Sequence, residues 1–315
     1  MTGLQNRLVT LVGGSGFFGK HVAQALLEQG ARLRVASRHP EEAYSLRPLA
    51  NLGQIQFARC DIRNEASLAA VIDGADAVVN LVGAFEGNLD AVMGAGAGQV
   101  AQIAADKGVS AFVHISAIGA DANSAIDYQK YKGLGEQAVL AAFPKATVLR
   151  PSILFGSDDN FLNMFGQMIS ALPAIPVFAP QAKLQPLFVD DAADAVIAAL
   201  ADPAKHGGKT YEIAGPEVMT MLEINERIAE AEDRKRSFIA LPDGVGRMIA
   251  GISGMLPGAP ISSDQYAMLS AGNVASDDMP GIAKLGIAPR PLSLFLDRWM
   301  TRYRKHGRFG DKRVV

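Results

Sequence analysis

The sequence predicts an α/β fold: a doubly wound parallel sheet with a smaller C-terminal lobe. Three observations predict it. Short apolar, β-branched runs of strand length recur at 8–12, 31–37, 54–60, 76–83, 111–115 and 147–153. Runs apolar throughout suit strands buried on both faces. Helical patterns separate them, and strand alternating with helix is the signature of a parallel sheet. Finally, the first strand, Leu8–Val12, passes at once into the glycine turn GGSGFFG and then a helical pattern through Val22, Ala25 and Leu26.

That turn sets the chemistry of the first half. Strand, glycine turn and helix in this order are the context of a dinucleotide-binding, Rossmann-type loop. Gly13 permits the tight turn, Gly16 lets backbone approach a pyrophosphate, and Gly19 lets helix and strand pack closely. Ser15, Phe17 and Phe18 complete the phosphate-facing segment. The helix start offers unpaired N–H groups and a positive dipole end. The spacing is GxxGxxG, one residue longer between the first two glycines than the usual pattern.

The second strand, 31–37, ends at Ser37 and Arg38. An acid at this place accepts hydrogen bonds from a ribose 2′-hydroxyl, whereas a cation suits a 2′-phosphate. No acid stands at Ser37, Arg38 or His39, so NADP(H) is favoured over NAD(H). The third strand, 54–60, ends in Asp61-Ile62, a pair placed to touch an adenine. A crossover helix spans 67–72. The fourth strand, 76–83, brings Asn80, Leu81, Val82 and Gly83 to a carboxyl edge, where open α/β sheets bind ligands. A helix over 90–107 carries Gly94, Gly96 and Gly98, marking close packing against the sheet or a subunit. The fifth strand, 111–115, leads to Ser116.

Tyr128 and Lys132 lie four residues apart on the next helix and share a face. Tyrosine is a poor base at its ordinary pKa, and a neighbouring ammonium lowers that pKa. Ser116 would hold a substrate carbonyl or hydroxyl, and Lys132 the nicotinamide ribose. The three together suit hydride transfer to or from a carbonyl. Tyr131 cannot share the face of Lys132. The sixth strand, 147–153, carries Arg150, Pro151 and Ile153; its proline turn would shape the nicotinamide end. His114 reads as a packed core residue. The other histidines show no metal-ligand spacing, and no metal site is expected.

Net charge is -2, which gives no electrostatic case for nucleic acid. Cys60 is the one cysteine, so intrachain disulfides and cysteine metal clusters are excluded and a reducing compartment fits. No secretory signal and no apolar run long enough for a transmembrane helix is read. The expectation is a cytoplasmic protein.

Beyond Phe155-Gly156 the alternation stops. A dinucleotide domain is expected over 1–156, with 183–216 returning to its sheet; 157–182 and 217–315 form the lobe. A short strand is expected at 187–190, then a helix at 192–200 with Asp190-Asp191 at its start, a strand at 210–214, and a helix at 220–231 capped by Thr220. The region beyond Leu241 reads as mostly helical. Val245, Met248, Ile249, Ile252, Met255 and Leu256 have helical spacing and are read as core or a lid, ahead of a membrane or partner surface. The tail, Arg298–Arg313, sets seven cations around Trp299 and Tyr303. It would face anionic lipid or an acidic protein, or be a solvated terminus.

GGSGFFG, Asp61-Ile62, NLVGA, HISAIGA, YQKYK, RPSILFG and FVDDAADAV follow one another as in the extended and atypical short-chain dehydrogenase/reductases. From Leu8 to about Pro216 the chain resembles that superfamily. HISAIGAD, the spacing from Tyr128 to Glu136, and RPSILFG are most similar to the branch of the nucleotide-binding accessory subunit of respiratory complex I and its bacterial relatives, some linked to ubiquinone biosynthesis. The resemblance implies a bound NADPH, held structurally in the respiratory subunit, and matches Ser116, Tyr128 and Lys132 to the superfamily's catalytic positions. It implies complex I or another membrane-associated assembly as partner and a peripheral place on the cytoplasmic membrane face. An active reductase or dehydrogenase on a bulky apolar carbonyl, a quinone precursor or steroid-like ring, is the alternative. A sugar-nucleotide epimerase ranks third, because the later chain lacks the polar and basic cluster a diphosphate-sugar demands.

Overall fold

The computed structural model describes residues 3–253 and 263–307. In chain order the elements are β1 Leu8–Val12, α1 Phe17–Glu28, β2 Arg32–Ser37, a 3-10 stretch Pro40–Leu49, β3 Ile55–Arg59, α2 Glu65–Ile72, β4 Ala77–Asn80, α3 Leu89–Met93, α4 Ala95–Asp106, β5 Ala111–Ile115, α5 Asp127–Ala142 and β6 Thr147–Pro151. There follow β7 Leu154–Phe155, α6 Asn160–Ala171, β8 Ala174–Val177, β9 Lys183–Leu184, β10 Leu187–Phe188, α7 Val189–Ala201, α8 Pro203–His206 and β11 Thr210–Ile213. The chain continues through β12 Met219–Thr220, α9 Met221–Ala231, β13 Ser237–Ala240, α10 Asp243–Ser253, α11 Ser263–Ala271, a 3-10 turn Ile282–Leu285, α12 Ser293–Met300 and a 3-10 turn Thr301–Tyr303.

The chain divides into two compact units. The first is built from the chain up to Pro151, Val189–Ile213 and Ala275–Ala288. The second takes Ser152–Phe188, Ala214–Val274 and the chain from Pro289 on. The first unit therefore ends at Pro151 rather than residue 156, and takes back a third segment, 275–288, that no sequence pattern marked.

The first unit holds a seven-stranded sheet in the order β11-β6-β5-β4-β1-β2-β3, parallel at every pairing. The order reverses beside β1, which makes the sheet doubly wound and opens a crevice at the carboxyl ends of β1 and β4. Central β4 and β5 are buried along their whole length, as their unbroken apolar runs require. On one face α2, α4 and α5 cover Val12, Val78 and Phe112 with Leu68, Val100 and Val139. α1 and α7 pack together, joined by His21 Nδ1 and Asp190 Oδ1 at 2.6 Å. Asp190, in the first turn of α7, thus also pairs with α1.

One long helix was expected over 90–107, and two occur. Gly94 breaks it: its N–H satisfies the carbonyls of Leu89 and Asp90 that close α3, and α4 starts afresh. Within the chain these glycines pack on neighbouring helices and loops rather than on the sheet. A Cβ on Gly98 would stand 2.7 Å from Ala138 Cβ of α5, so small residues set the close approach of α4 and α5.

In the second unit three two-stranded sheets, β7–β10, β8–β13 and β9–β12, link the helices. Asp159 caps α6, accepting from the Leu162 N–H at 2.6 Å. Thr220 caps α9 as expected, and Glu223 completes a capping box.

Two expectations are narrowed in this unit. Of the stripe read as core or a lid, Val245 and Met248 on α10 are exposed, Met248 by 58%, so these two are not core. The buried side of α10 is instead Gly246 and Ala250, with Gly246 against Tyr266 of α11. The side chain of Ile252, and Met255 and Leu256 altogether, lie outside the described residues. Nor is the tail free as far as Gly307. Trp299 packs with Phe155, Phe188 and Phe295. Arg302 donates to the Ser157 carbonyl at 3.0 Å and Arg304 to that of Ala231 at 2.8 Å. Residues 308–315 lie outside the described residues.

Candidate cofactor and active site

The glycine turn occupies the carboxyl end of β1. Gly13 adopts φ +84°, and its N–H donates to Ala36 O of β2 at 2.8 Å. A Cβ there would also meet Val82 Cγ2 at 3.0 Å, so the turn lies directly on the Leu81–Gly83 segment leaving β4. A Cβ on Gly19 would stand 2.7 Å from Gly14 Cα, and one on Gly14 2.8 Å from Leu11 Cβ. Gly14 is a packing glycine the spacing argument did not single out. Gly16 differs: nothing lies nearer to its absent Cβ than Gly13 O at 3.8 Å. It leaves open space immediately before α1, whose first turn has no side-chain cap and no acid. The amides of Phe17, Phe18 and Gly19 open this helix and have no partner one turn back. Ser15 Oγ donates to Glu42 Oε2 at 3.4 Å.

The carboxyl ends of β2 and β3 lie beside it. Ser37 is 9% exposed and its Oγ has no hydrogen-bond partner among the described residues. Arg38 is exposed, and Arg59 stands opposite Ser37 in register. The Asp61 carboxylate is held bidentate by Arg63, at 2.9 and 2.6 Å. Hydrogen bonds from Arg63 pull its pKa down to about 2. Ile62 faces the core at 7% exposure, so within the Asp61-Ile62 pair the accessible side chain is the acid.

At the ends of β4 and β5 the structure gathers Leu81, Val82, Gly83, Ser116 and Lys132. Lys132 is 3% exposed and its Nζ donates to Ile115 O at 2.9 Å and Val82 O at 3.4 Å. Burial lowers its pKa to about 8, against the opposing pull of Glu136. Ser116 is 3% exposed and its Oγ has no partner. The Tyr128 ring lies 5.9 Å from Lys132 Nζ and stacks on Phe85, with centroids 4.8 Å apart. Burial pushes its phenol up to about 12. Desolvation alone accounts for this rise, and the Lys132 ammonium is turned to two backbone carbonyls. Pro151 ends β6, where its carbonyl accepts from the Ile118 N–H at 3.1 Å. Ile153 belongs to the second unit, where its N–H donates to Asn273 Oδ1 at 2.6 Å.

Three features escaped the sequence reading. His114 is core, yet paired: its Nδ1 lies 3.3 Å from Asn80 Nδ2, and burial lowers its pKa to about 3. Asn80 Oδ1 in turn accepts from the Val82 N–H at 3.2 Å, which ties the Lys132 acceptor to the strand ends. Arg150, read only as part of a proline turn, joins Glu136 at 2.8 and 2.7 Å and Glu212 at 3.3 Å in a buried cluster. The step of four from Lys132 to Glu136 was visible; its partner on β6 was not. Phe85 gave no signal, because a lone aromatic in a loop has no periodicity.

These residues fit a dinucleotide. Gly16 leaves the cradle a Cβ would fill, and Ser37 and Ser116 present buried hydroxyls without partners at its two ends. A buried hydroxyl without a partner is costly unless a ligand or water completes it. Among the described residues no cluster of His, Cys, Asp and Glu could hold a metal ion, and no helix is long and apolar enough to cross a membrane.

Comparison with known proteins agrees with this geometry. The chain is 29% identical, over 95% of its length and 79% of the relative's, to subunit 9 of the NADH dehydrogenase [ubiquinone] 1 alpha subcomplex of Arabidopsis thaliana mitochondria. It is 27% identical to a ceramide reductase of Caulobacter vibrioides, over 75% of this chain and 74% of that one. The triphenylmethane reductase of Citrobacter sp., solved with NADP(H), shares the fold at TM-score 0.75, 18% identity, and coverage of 92% of this chain and 99% of that one. Residues 9–214, from β1 to the end of β11, match the NAD dependent epimerase/dehydratase family. The ligand class of the glycine cradle is accordingly a nicotinamide dinucleotide, and the chain belongs to the NAD-dependent epimerase/dehydratase family.

Proposed function

We propose that the chain holds NADP(H) as a resident cofactor. We propose further that it serves as a nucleotide-bearing accessory element of a respiratory NADH:quinone complex or a related assembly, placed peripherally on the cytoplasmic membrane face. The observation that carries the structural role is the state of the Tyr128–Lys132 pair. A phenol near 12 facing an ammonium committed to two carbonyls is a poor base at neutral pH. The same lysine is well placed to hold a ribose. In this reading Gly13–Gly19 cradles the pyrophosphate and Asp61 faces the adenine. Leu81–Gly83, Pro151 and Lys132 line the nicotinamide end. Cofactor choice rests on Arg38 with Arg59. Asp61 at the end of β3 is taken by Arg63 and does not compete for a ribose hydroxyl.

Titration of the protein with NADPH and NADH tests the binding. NADPH binds more tightly, and Arg38→Ala narrows the margin; equal affinities in the wild type refute the preference. Similarity to the mitochondrial subunit supports the accessory role.

One observation favours a second reading, an NADPH-dependent reductase on an apolar carbonyl. Ser116 Oγ is buried and has no partner among the described residues, and burial keeps the Tyr128 phenol protonated. Ser116 would orient a carbonyl oxygen, and Tyr128 Oη would give it the proton that reduction consumes. The bound cofactor would supply the hydride. A phenol that keeps its proton suits this direction, not the oxidative one.

A further inference from the structure

Glu232 ends α9 and is 1% exposed, and neither carboxyl oxygen accepts a hydrogen bond among the described residues. It is buried where three segments of the second unit meet. From α6 comes Gly166: a Cβ there would lie 3.1 Å from Glu232 Oε1 and 2.8 Å from the Tyr303 ring. From the turn after α12 comes Tyr303, whose hydroxyl donates to Asn163 Oδ1 at 2.7 Å. From the segment after α9 comes Arg234. Its Nε stands 3.5 Å from Glu232 Oε2 without hydrogen-bond alignment, while Nε and Nη2 donate to Tyr303 O at 3.3 and 2.9 Å.

One guanidinium thus faces two acceptors, a carboxyl group and the carbonyl that anchors the C-terminal turn. We propose that Glu232 is a pH-sensitive latch for this turn: protonated, it leaves Arg234 on the Tyr303 carbonyl and the turn docked; ionised, it takes Arg234 and frees the turn. The charged groups around it are Arg234 and Arg236 on the segment after α9, and Arg304, whose Nε donates to Ala231 O next door at 2.8 Å. Asp297 of α12 stands 3.7 Å from Arg304. α6, NFLNMFGQMISA, brings no charge. The C-terminal end of α9 also opposes a negative charge through the helix dipole. Burial raises the Glu232 pKa to about 8, although both arginines pull it down, which sets the range of the switch just above neutrality. Sign follows from linkage. The folded pKa lies above the unfolded one, so the docked state binds the extra proton and loses stability as pH rises from about 4.5 toward 8.

Trp299 is the only tryptophan and lies in α12, four residues before Tyr303. Its emission and its quenching by acrylamide report docking of the turn in the full-length protein. Between pH 6 and 10 the wild type shifts to the red and quenches more readily, with a midpoint near 8, while far-ultraviolet circular dichroism stays native. Glu232→Gln keeps the shape, cannot ionise, and gives a flat profile with the docked emission. Glu232→Met is the second variant, filling the same space without charge should Gln not fold. A flat wild-type profile overturns the proposal, as does a transition that survives in whichever variant folds.

Discussion

At the scale of single residues, packing and ligand approach separate cleanly in the glycine turn. Gly13, Gly14 and Gly19 are filled against by their own fold, whereas a Cβ on Gly16 would meet Gly13 O only at 3.8 Å. Gly16→Val therefore leaves circular dichroism unchanged and abolishes NADPH binding. Normal nucleotide binding by this variant would show that Leu8–Gly19 is not the phosphate loop. Lys132 makes the opposite bargain. Burial lowers its pKa to about 8 from an ordinary 10.5. The unfolded chain binds the extra proton between those values, so stability rises with pH there and the ammonium is a burden at pH 7. Lys132→Met removes that burden and, with it, the group proposed to hold the ribose. The variant melts at a higher temperature than the wild type and binds NADPH more weakly. A lower melting temperature would mean that the two carbonyl bonds outweigh desolvation. Function and stability conflict at this one side chain, as is common where a site is built on a buried charge.

Among elements, β5, α5 and β6 form the frame of the site, and the Glu136–Arg150–Glu212 cluster fastens it. Glu136 and Glu212 side chains are 8% and 7% exposed, and Glu212 Oε2 also accepts from the Ser276 N–H at 2.8 Å. Arg150→Ala leaves two buried carboxylates without their cation, a loss on the order of 3 kcal/mol. Urea unfolding measures it. An unchanged urea midpoint would show that the cluster adds no stability. This cluster also shows what could be read beforehand. Strand and helix positions were legible because periodicity is local, as were Gly13, Gly16, Gly19 and the Tyr128–Lys132 step along one helix. Arg150 and Glu212 are 62 residues apart and Asn80 and His114 are 34 apart. Such pairs depend on strand register, which no window of sequence contains. The stripe from Val245 misled for a related reason. Helical spacing shows that an apolar face exists, but Gly246, not Met248, faces Tyr266. A glycine leaves no trace in an apolar pattern.

For the whole molecule, the question is whether the bound nucleotide is used or only held. The two roles place different demands on the same residues. A reductase needs the Tyr128 proton, and removing the hydroxyl deletes acid catalysis of about 10²–10⁴-fold. An accessory element needs the cradle full, because a ligand that binds only the folded state stabilises it by mass action. Tyr128→Phe leaves the glycine turn and Lys132 intact, whereas Gly16→Val empties the cradle and spares the phenol. The two variants therefore separate the roles in a strain lacking this chain, scored by membrane NADH:quinone activity. As an accessory element, Tyr128→Phe restores that activity and Gly16→Val does not, and the Gly16→Val chain is lost from the membrane-associated complex. If both variants fail alike, the hydroxyl is required and turnover is the function. Full rescue by Gly16→Val refutes any role that depends on the cofactor. The ammonium committed to Ile115 O and Val82 O favours the first outcome.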